Sequence, residues 1–158
     1  MIIGSSKGSR PMTPLYTIGF TQKSASRFFE LLRGAGVKTV VDTRLNNTGQ
    51  LAGFAKREDL AYFLNTILGV KYVHWLDSAP TDDLLIAYKK KQMTWDQYEL
   101  EYRNLIEKRR LEDSETAHSL DASCLLCSEA KPHRCHRRIL AEYLVNKLPG
   151  KFSIEHLG

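Results

Sequence analysis

Val37-Lys38-Thr39-Val40-Val41-Asp42-Thr43 is apolar or β-branched at nearly every position, and Lys38 is its one early interruption. A short run of this kind, without polar and apolar residues in alternation, reads as a strand buried on both faces, as in a parallel sheet. Its C-terminal end turns polar at Asp42 and Arg44. On its N-terminal side, Ser24 can cap a helix whose apolar residues Ala25, Phe28, Phe29, Leu32 and Ala35 keep helical spacing, with Gly34 and Gly36 to end it. Before that, residues 16–19 form a short β-prone run closed by Gly19.

Downstream the alternation continues. Residues 46–54 read as a polar loop without an element of its own. Leu60, Phe63, Leu64, Ile67 and Leu68 mark a second helix stopped at Gly69, and residues 70–76 a third strand. Residues 81–91 and 94–110 read as two helices; Thr94 and Gln97 have the spacing of a capping box. Residues 112–116 read as a connector and residues 122–127 as a fourth strand. A helix opens at Pro132 and carries Ile139, Leu140, Tyr143 and Leu144 on its buried stripe, and residues 152–157 form a last strand. Strands alternating with helices predict an α/β fold: one three-layer domain with a mostly parallel sheet of about five strands and helices on both faces. Residues 1–13, rich in Gly, Ser, Lys and Pro, read as a flexible leader, and residues 14–158 as the domain.

The chain has 158 residues, 42% hydrophobic and 26% charged. This balance excludes a disordered, collagen-like or disulfide-dense chain, and at this length roughly 70% of the unfolded surface can be buried without a metal or cross-link. No apolar run approaches a membrane span, so no membrane partner is expected. Three cysteines fit a reducing, cytoplasmic setting better than a disulfide framework. A net charge of +5 with a pI near 9.1 favours an anionic partner, a small molecule or a nucleic acid.

In parallel α/β sheets ligands bind beyond the carboxyl ends of the strands. That rule selects Asp42, Arg44, Asn46, Asn47 and Gln50 after the second strand, and Cys127, Ser128 and Glu129 after the fourth. The helix that follows opens among His133, Arg134, Cys135, His136, Arg137 and Arg138. Free N–H groups and a positive helix end would hold an anion there and lower the Cys135 thiol pKa. Cys124 and Cys127 are spaced like metal ligands, but in a strand that spacing sends them to opposite faces. A site built from Cys127, Cys135 and His136 stays open, although no cofactor is expected. A thioredoxin-like site is disfavoured because the Cys-x-x-Cys lies inside the strand. His74 reads as a packing histidine on the same rim. Trp75, Trp95, Tyr98 and Tyr102 read as core aromatics, and neither a Gly-rich phosphate loop nor a dinucleotide fingerprint is present.

Thr17-Ile18-Gly19, Val40-Val41-Asp42-Thr43-Arg44 and Leu125-Leu126-Cys127-Ser128-Glu129 with Pro132-His133-Arg134-Cys135-His136-Arg137 resemble the domain-of-unknown-function 488 family. The likeness runs from about Tyr16 to His156. Much of the family has His after Thr-Ile-Gly, where this chain has Phe20; it looks like the branch that continues with Arg44-Leu45-Asn46-Asn47 and Gln50-Leu51-Ala52-Gly53-Phe54-Ala55-Lys56. The resemblance implies a bacterial or archaeal cytoplasmic α/β protein and supplies no reaction. The residues themselves point to an enzyme, hydrolase or transferase-like. Asp42, Cys127, Glu129, Cys135 and His136 are its candidate catalytic groups, and Arg44, Asn47, Gln50, Lys56 and Arg137 would bind an anionic, phosphate-bearing substrate. Two other classes stay open. One is a nucleic-acid-binding module using Lys89-Lys90-Lys91 and Lys108-Arg109-Arg110, and the other is a thiol-redox or metal-binding protein.

Overall fold

The computed structural model describes residues 11–158. Five parallel strands form one sheet in the order β3-β2-β4-β1-β5, where β1 is Thr13–Gly19, β2 Thr39–Asp42, β3 Lys71–His74, β4 Ser123–Cys127 and β5 Phe152–His156. β4 lies between β2 and β1, and all five of its residues are buried, as a strand flanked and covered on both sides requires. The expected leader largely lies outside the described residues, although Thr13 already belongs to β1.

Two helical layers cover the sheet. On one face α1 (Ala25–Ala35) and α2 (Arg57–Phe63), prolonged by a π-turn at Leu64–Leu68, pack Phe28, Leu32, Leu60 and Leu64 on Ile18, Val40, Cys124 and Leu126. Ser24 caps α1 through the Arg27 N–H, and Gly36 ends it in the left-handed conformation. On the other face are α3 (Asp82–Lys89), α4 (Trp95–Lys108), α5 (Glu115–His118) and α6 (His136–Lys147). Tyr98, Tyr102, Ile106, Ile139, Leu140 and Leu144 pack there on Leu15, Val41 and Leu125. The capping box at Thr94 and Gln97 forms with both of its hydrogen bonds.

Three local expectations need correction. Residues 50–55 form a 3₁₀ turn where a featureless loop was expected. The connector at 112–116 carries part of a 3₁₀ turn, Leu111–Asp113, and the start of α5, whose first N–H groups Ser114 caps. α6 begins at His136 with Cys135 as its N-cap, not at Pro132. The physical reason is at Gly19, where a Cβ would stand 1.6 Å from the Glu129 carbonyl oxygen. The 128–135 loop crosses the end of β1 through that gap, held by the Thr21 N–H on the Ser128 carbonyl at 3.1 Å, and only then can the chain turn helical.

Candidate functional site

Parallel register brings the strand ends to one rim. Gly19 lies beside Cys127, and Asp42 beside Leu126 and His74. Above this rim is a cavity of about 630 Å³ whose wall includes Arg44, Asn46, Cys127, Ser128, Glu129, Arg134, Cys135 and His136. The residues singled out after the second and fourth strands thus converge on one end of the molecule.

Asp42 and Arg44 form the first of two buried clusters. Asp42 is fully buried and takes the Arg44 fork through Nε and Nη2, both at 2.8 Å, the Arg44 backbone N–H at 3.1 Å and the Tyr72 hydroxyl at 2.5 Å. Asn47 Nδ2 donates to the same carboxylate at 3.3 Å. Burial alone would raise the Asp42 pKa; the hydrogen bonds and charge of Arg44 with the Tyr72 hydroxyl outweigh it and hold the carboxyl below its usual range. Arg44 also donates to the Ala55 carbonyl at 2.7 Å, and its guanidinium lies 5.2 Å from the centre of the Phe20 ring. Phe20 therefore has a packing role of its own beside this guanidinium. Asp42 is enclosed by these partners and bears on the cavity through Arg44, which lines it.

The second cluster gathers the sulfur, imidazole and guanidinium groups from β4 and α6. His136 Nε2 is 2.9 Å from the Thr43 carbonyl oxygen and 3.0 Å from its hydroxyl, which itself donates to the Leu126 carbonyl. A carbonyl can only accept, so Nε2 carries the proton and the Nδ1 lone pair turns to Cys127 Sγ at 3.4 Å. The Tyr102 ring packs edge-on against the imidazole, with centres 5.4 Å apart. Cys127 is thus a thiol beside a base that a third group orients, an arrangement suited to nucleophilic chemistry.

Arg137 completes this cluster. It is fully buried, donating from Nε to Thr17 Oγ1 at 3.2 Å and from Nη1 to the Glu129 carbonyl at 2.5 Å and Cys135 Sγ at 3.5 Å, while its Nη2 has no partner among the described residues. The Thr17 hydroxyl meets His156 Nδ1 at 2.6 Å. A hydrogen bond from the Cys135 thiol lowers the Cys127 pKa against the opposing effect of burial. The Arg137 charge and the Ser128 and Glu129 N–H groups lower it further. Burial, followed by that same hydrogen bond to Cys127, drives Cys135 upward. The expected lowering of the Cys135 thiol by the helix end is thus opposed by burial, and Cys127 is the thiol whose pKa is lowered. Cys124, on the opposite face of β4 as expected, is also pushed up by burial.

The other expected residues are placed as follows. Glu129 is exposed at the cavity rim, and the Thr43 carbonyl, not Glu129, orients His136. Arg137 holds the loop from beneath. Asn47 braces Asp42 and Tyr72, and Lys56 is the half-buried N-cap of α2. Gln50 lies in the 3₁₀ turn, and its side chain is outside the described residues. His74 donates from Nε2 to the Arg44 carbonyl at 2.8 Å, a structural role. The expected core role holds for Trp75, Tyr98 and Tyr102, which are buried in the main core cluster, and Trp95 packs against that cluster. Sequence reasoning missed the far wall of the cavity, where Tyr88, Met93, Trp95 and Tyr98 rise from α3, α4 and the turn between them. Tyr98 and Trp95 stack with centres 5.1 Å apart, and Tyr88 tilts against Tyr98 at 5.1 Å.

Cys127, Cys135 and His136 each offer a ligand atom, and all three atoms lie within 4.8 Å of one another, so the group could hold a thiophilic metal ion. Among the described residues no helix is long and apolar enough to cross a membrane. Comparison with known protein families matches residues 24–144 to DUF488, a domain of unknown function. The chain belongs to that family. The matched segment spans β2, β3 and β4 and ends inside α6, so it includes Asp42, Arg44, Cys127, Cys135, His136 and Arg137 of this DUF488 chain. No curated protein and no solved structure matches.

Proposed function

We propose that this DUF488 protein is a thiol-dependent hydrolase or transferase acting on a phosphate-bearing substrate in the cavity above the strand ends. The observation that carries the reading is the Cys127–His136 pair. Its imidazole is fixed in one tautomer with Nδ1 toward a thiol whose pKa is lowered. Lys89, Lys91 and Arg134 line the same cavity, beside an Arg44 already paired with Asp42, against one acidic lining residue, Glu129, which favours an anion.

In the reaction, His136 Nδ1 takes the Cys127 proton, and the sulfur lone pair forms a bond to the substrate phosphorus. The bond from phosphorus to the leaving oxygen breaks, and that oxygen receives the proton from His136. Water or an acceptor hydroxyl then gives its proton to His136, its oxygen bonds phosphorus, and the sulfur leaves and regains the proton. The Ser128 and Glu129 N–H groups and the buried Arg137 charge stabilise the thiolate when it departs.

The test is phosphate release across a panel of phosphomonoesters and phosphoanhydrides, with intact-mass analysis for a phosphate adduct on Cys127. Cys127→Ser is expected to lower turnover by about 10³-fold or more, and Cys124→Ser to leave it unchanged. An active Cys127→Ser variant, or failure of every phosphate compound, inorganic phosphate included, to slow alkylation of Cys127, overturns the reading. A second reading takes Cys127, Cys135 and His136 as ligands of a soft metal, on the strength of their mutual distances. Stoichiometric zinc or copper in protein purified without chelator would favour it.

A further inference from the structure

The cavity is divided in composition. The thiols, His136 and cations form part of its lining, and aromatic rings another part: Tyr88 and Trp95, both half-buried, and the buried Tyr98. These rings are continuous. Trp95 and Tyr98 lie nearly parallel at 25°, and Tyr88 closes on both, 5.6 Å from Trp95 and 5.1 Å from Tyr98. Thr94, with its capping box, fixes the first turn of α4 and hence the position of Trp95. A preformed aromatic face that stays accessible offers a planar ring a partner for stacking, and it binds any base because every base has a π-face.

From this wall we infer that the phosphate-bearing substrate is a nucleoside monophosphate, with its base against Trp95 and Tyr88 and its phosphate toward Cys127 and the cationic side. The inference rests on the phosphate-directed reading above and adds the group that the phosphate carries. Two arguments favour a free nucleotide over a polymer. The volume of about 630 Å³ is in the range of small-molecule sites. The cations also converge on one cavity: Lys89 and Lys91 leave the end of α3 toward it and Arg134 comes from the loop before α6.

The experiment measures protection of Cys127 from iodoacetamide, read residue by residue by mass spectrometry, with adenosine 5′-monophosphate, ribose 5-phosphate and inorganic phosphate as probes. The same titrations are followed by tryptophan fluorescence. Adenosine 5′-monophosphate is expected to protect at about tenfold lower concentration than ribose 5-phosphate and to quench the fluorescence. Trp95→Leu should remove that advantage and leave protection by inorganic phosphate unchanged; Tyr88→Leu should reduce it, and Trp95→Phe should restore most of it. Equal protection by ribose 5-phosphate and adenosine 5′-monophosphate overturns the inference and leaves the phosphate reading standing, as does a Trp95→Leu variant that keeps the full advantage. An oligonucleotide that protects better than the mononucleotide, with affinity falling steeply in salt, overturns it in favour of a polymer. Absence of protection by all three probes overturns the phosphate reading itself.

Discussion

The two buried clusters at the strand ends differ in how their charges are met. In the Asp42 cluster a carboxylate and a guanidinium are both present, paired in a two-point fork, with Tyr72 and Asn47 on the remaining lone pairs. In the Arg137 cluster the guanidinium is equally buried but has a hydroxyl, a carbonyl and a sulfur for partners and, among the described residues, no carboxylate. A buried cation raises the local potential and favours negative charge nearby; after the hydrogen bond from Cys135, the Arg137 charge is among the causes that lower the Cys127 thiol against burial. The first cluster is neutralised from within; the second favours negative charge around the thiols of Cys127 and Cys135.

Substitutions should separate the two. The largest stability loss is expected from Asp42→Ala, which strands Arg44 without its partner: about 3–5 kcal/mol, seen as a melting temperature lower by roughly 10 °C. Arg137→Met should destabilise less, because an apolar chain replaces a cation that has no carboxylate partner. It should nevertheless slow iodoacetamide alkylation of Cys127 at neutral pH by about tenfold. If Arg137→Met is the more damaging to stability and leaves the thiol rate unchanged, the contrast fails. Gly19→Ala is expected to cost about 1–3 kcal/mol in urea unfolding and to shift the 128–135 loop, since the added methyl meets the Glu129 carbonyl.

A pH series sharpens the same contrast. The folded pKa of Asp42 is below its unfolded value, so its stabilising contribution is present above the unfolded carboxylate range near pH 4 and is lost as pH falls through the lower folded value. The urea midpoint of the wild type should fall further through that window than that of Asp42→Asn. The smallest effect belongs to Cys124→Ala, set in the α1–α2 core. It should cost about 1 kcal/mol and leave the alkylation rate of Cys127 unchanged.

The element order was legible because helical and strand periodicities are local. Phe28, Phe29 and Leu32 announce α1, and the apolar run around Val40 announces β2, from their own neighbours alone. The convergence of Arg44, Cys127, Cys135 and His136 followed from one topological rule about strand ends. Pro132 misled because its backbone suits a first helical turn, while the delay to His136 comes from contacts with Gly19 and Thr21, more than a hundred positions away. The tautomer of His136 depends on the Thr43 carbonyl, 93 positions away in sequence. The aromatic wall escaped because Tyr88, Trp95 and Tyr98 lie on helices, and the strand-end rule searches only the loops after strands. Their spacing also matches an ordinary core stripe.

The placement of β4 between β1 and β2 sets the order in which the molecule can be built. β1 and β2 share no hydrogen bond with each other; each must wait for residues 123–127, far downstream of both. Until then both present open edges, and closing the gap demands pairings across about a hundred residues, a topology that folds slowly and exposes sticky intermediates. The sulfur and imidazole groups arrive with the same strand and the helix after it, so the Cys127–His136 pair and the keystone of the sheet are assembled in a single late event.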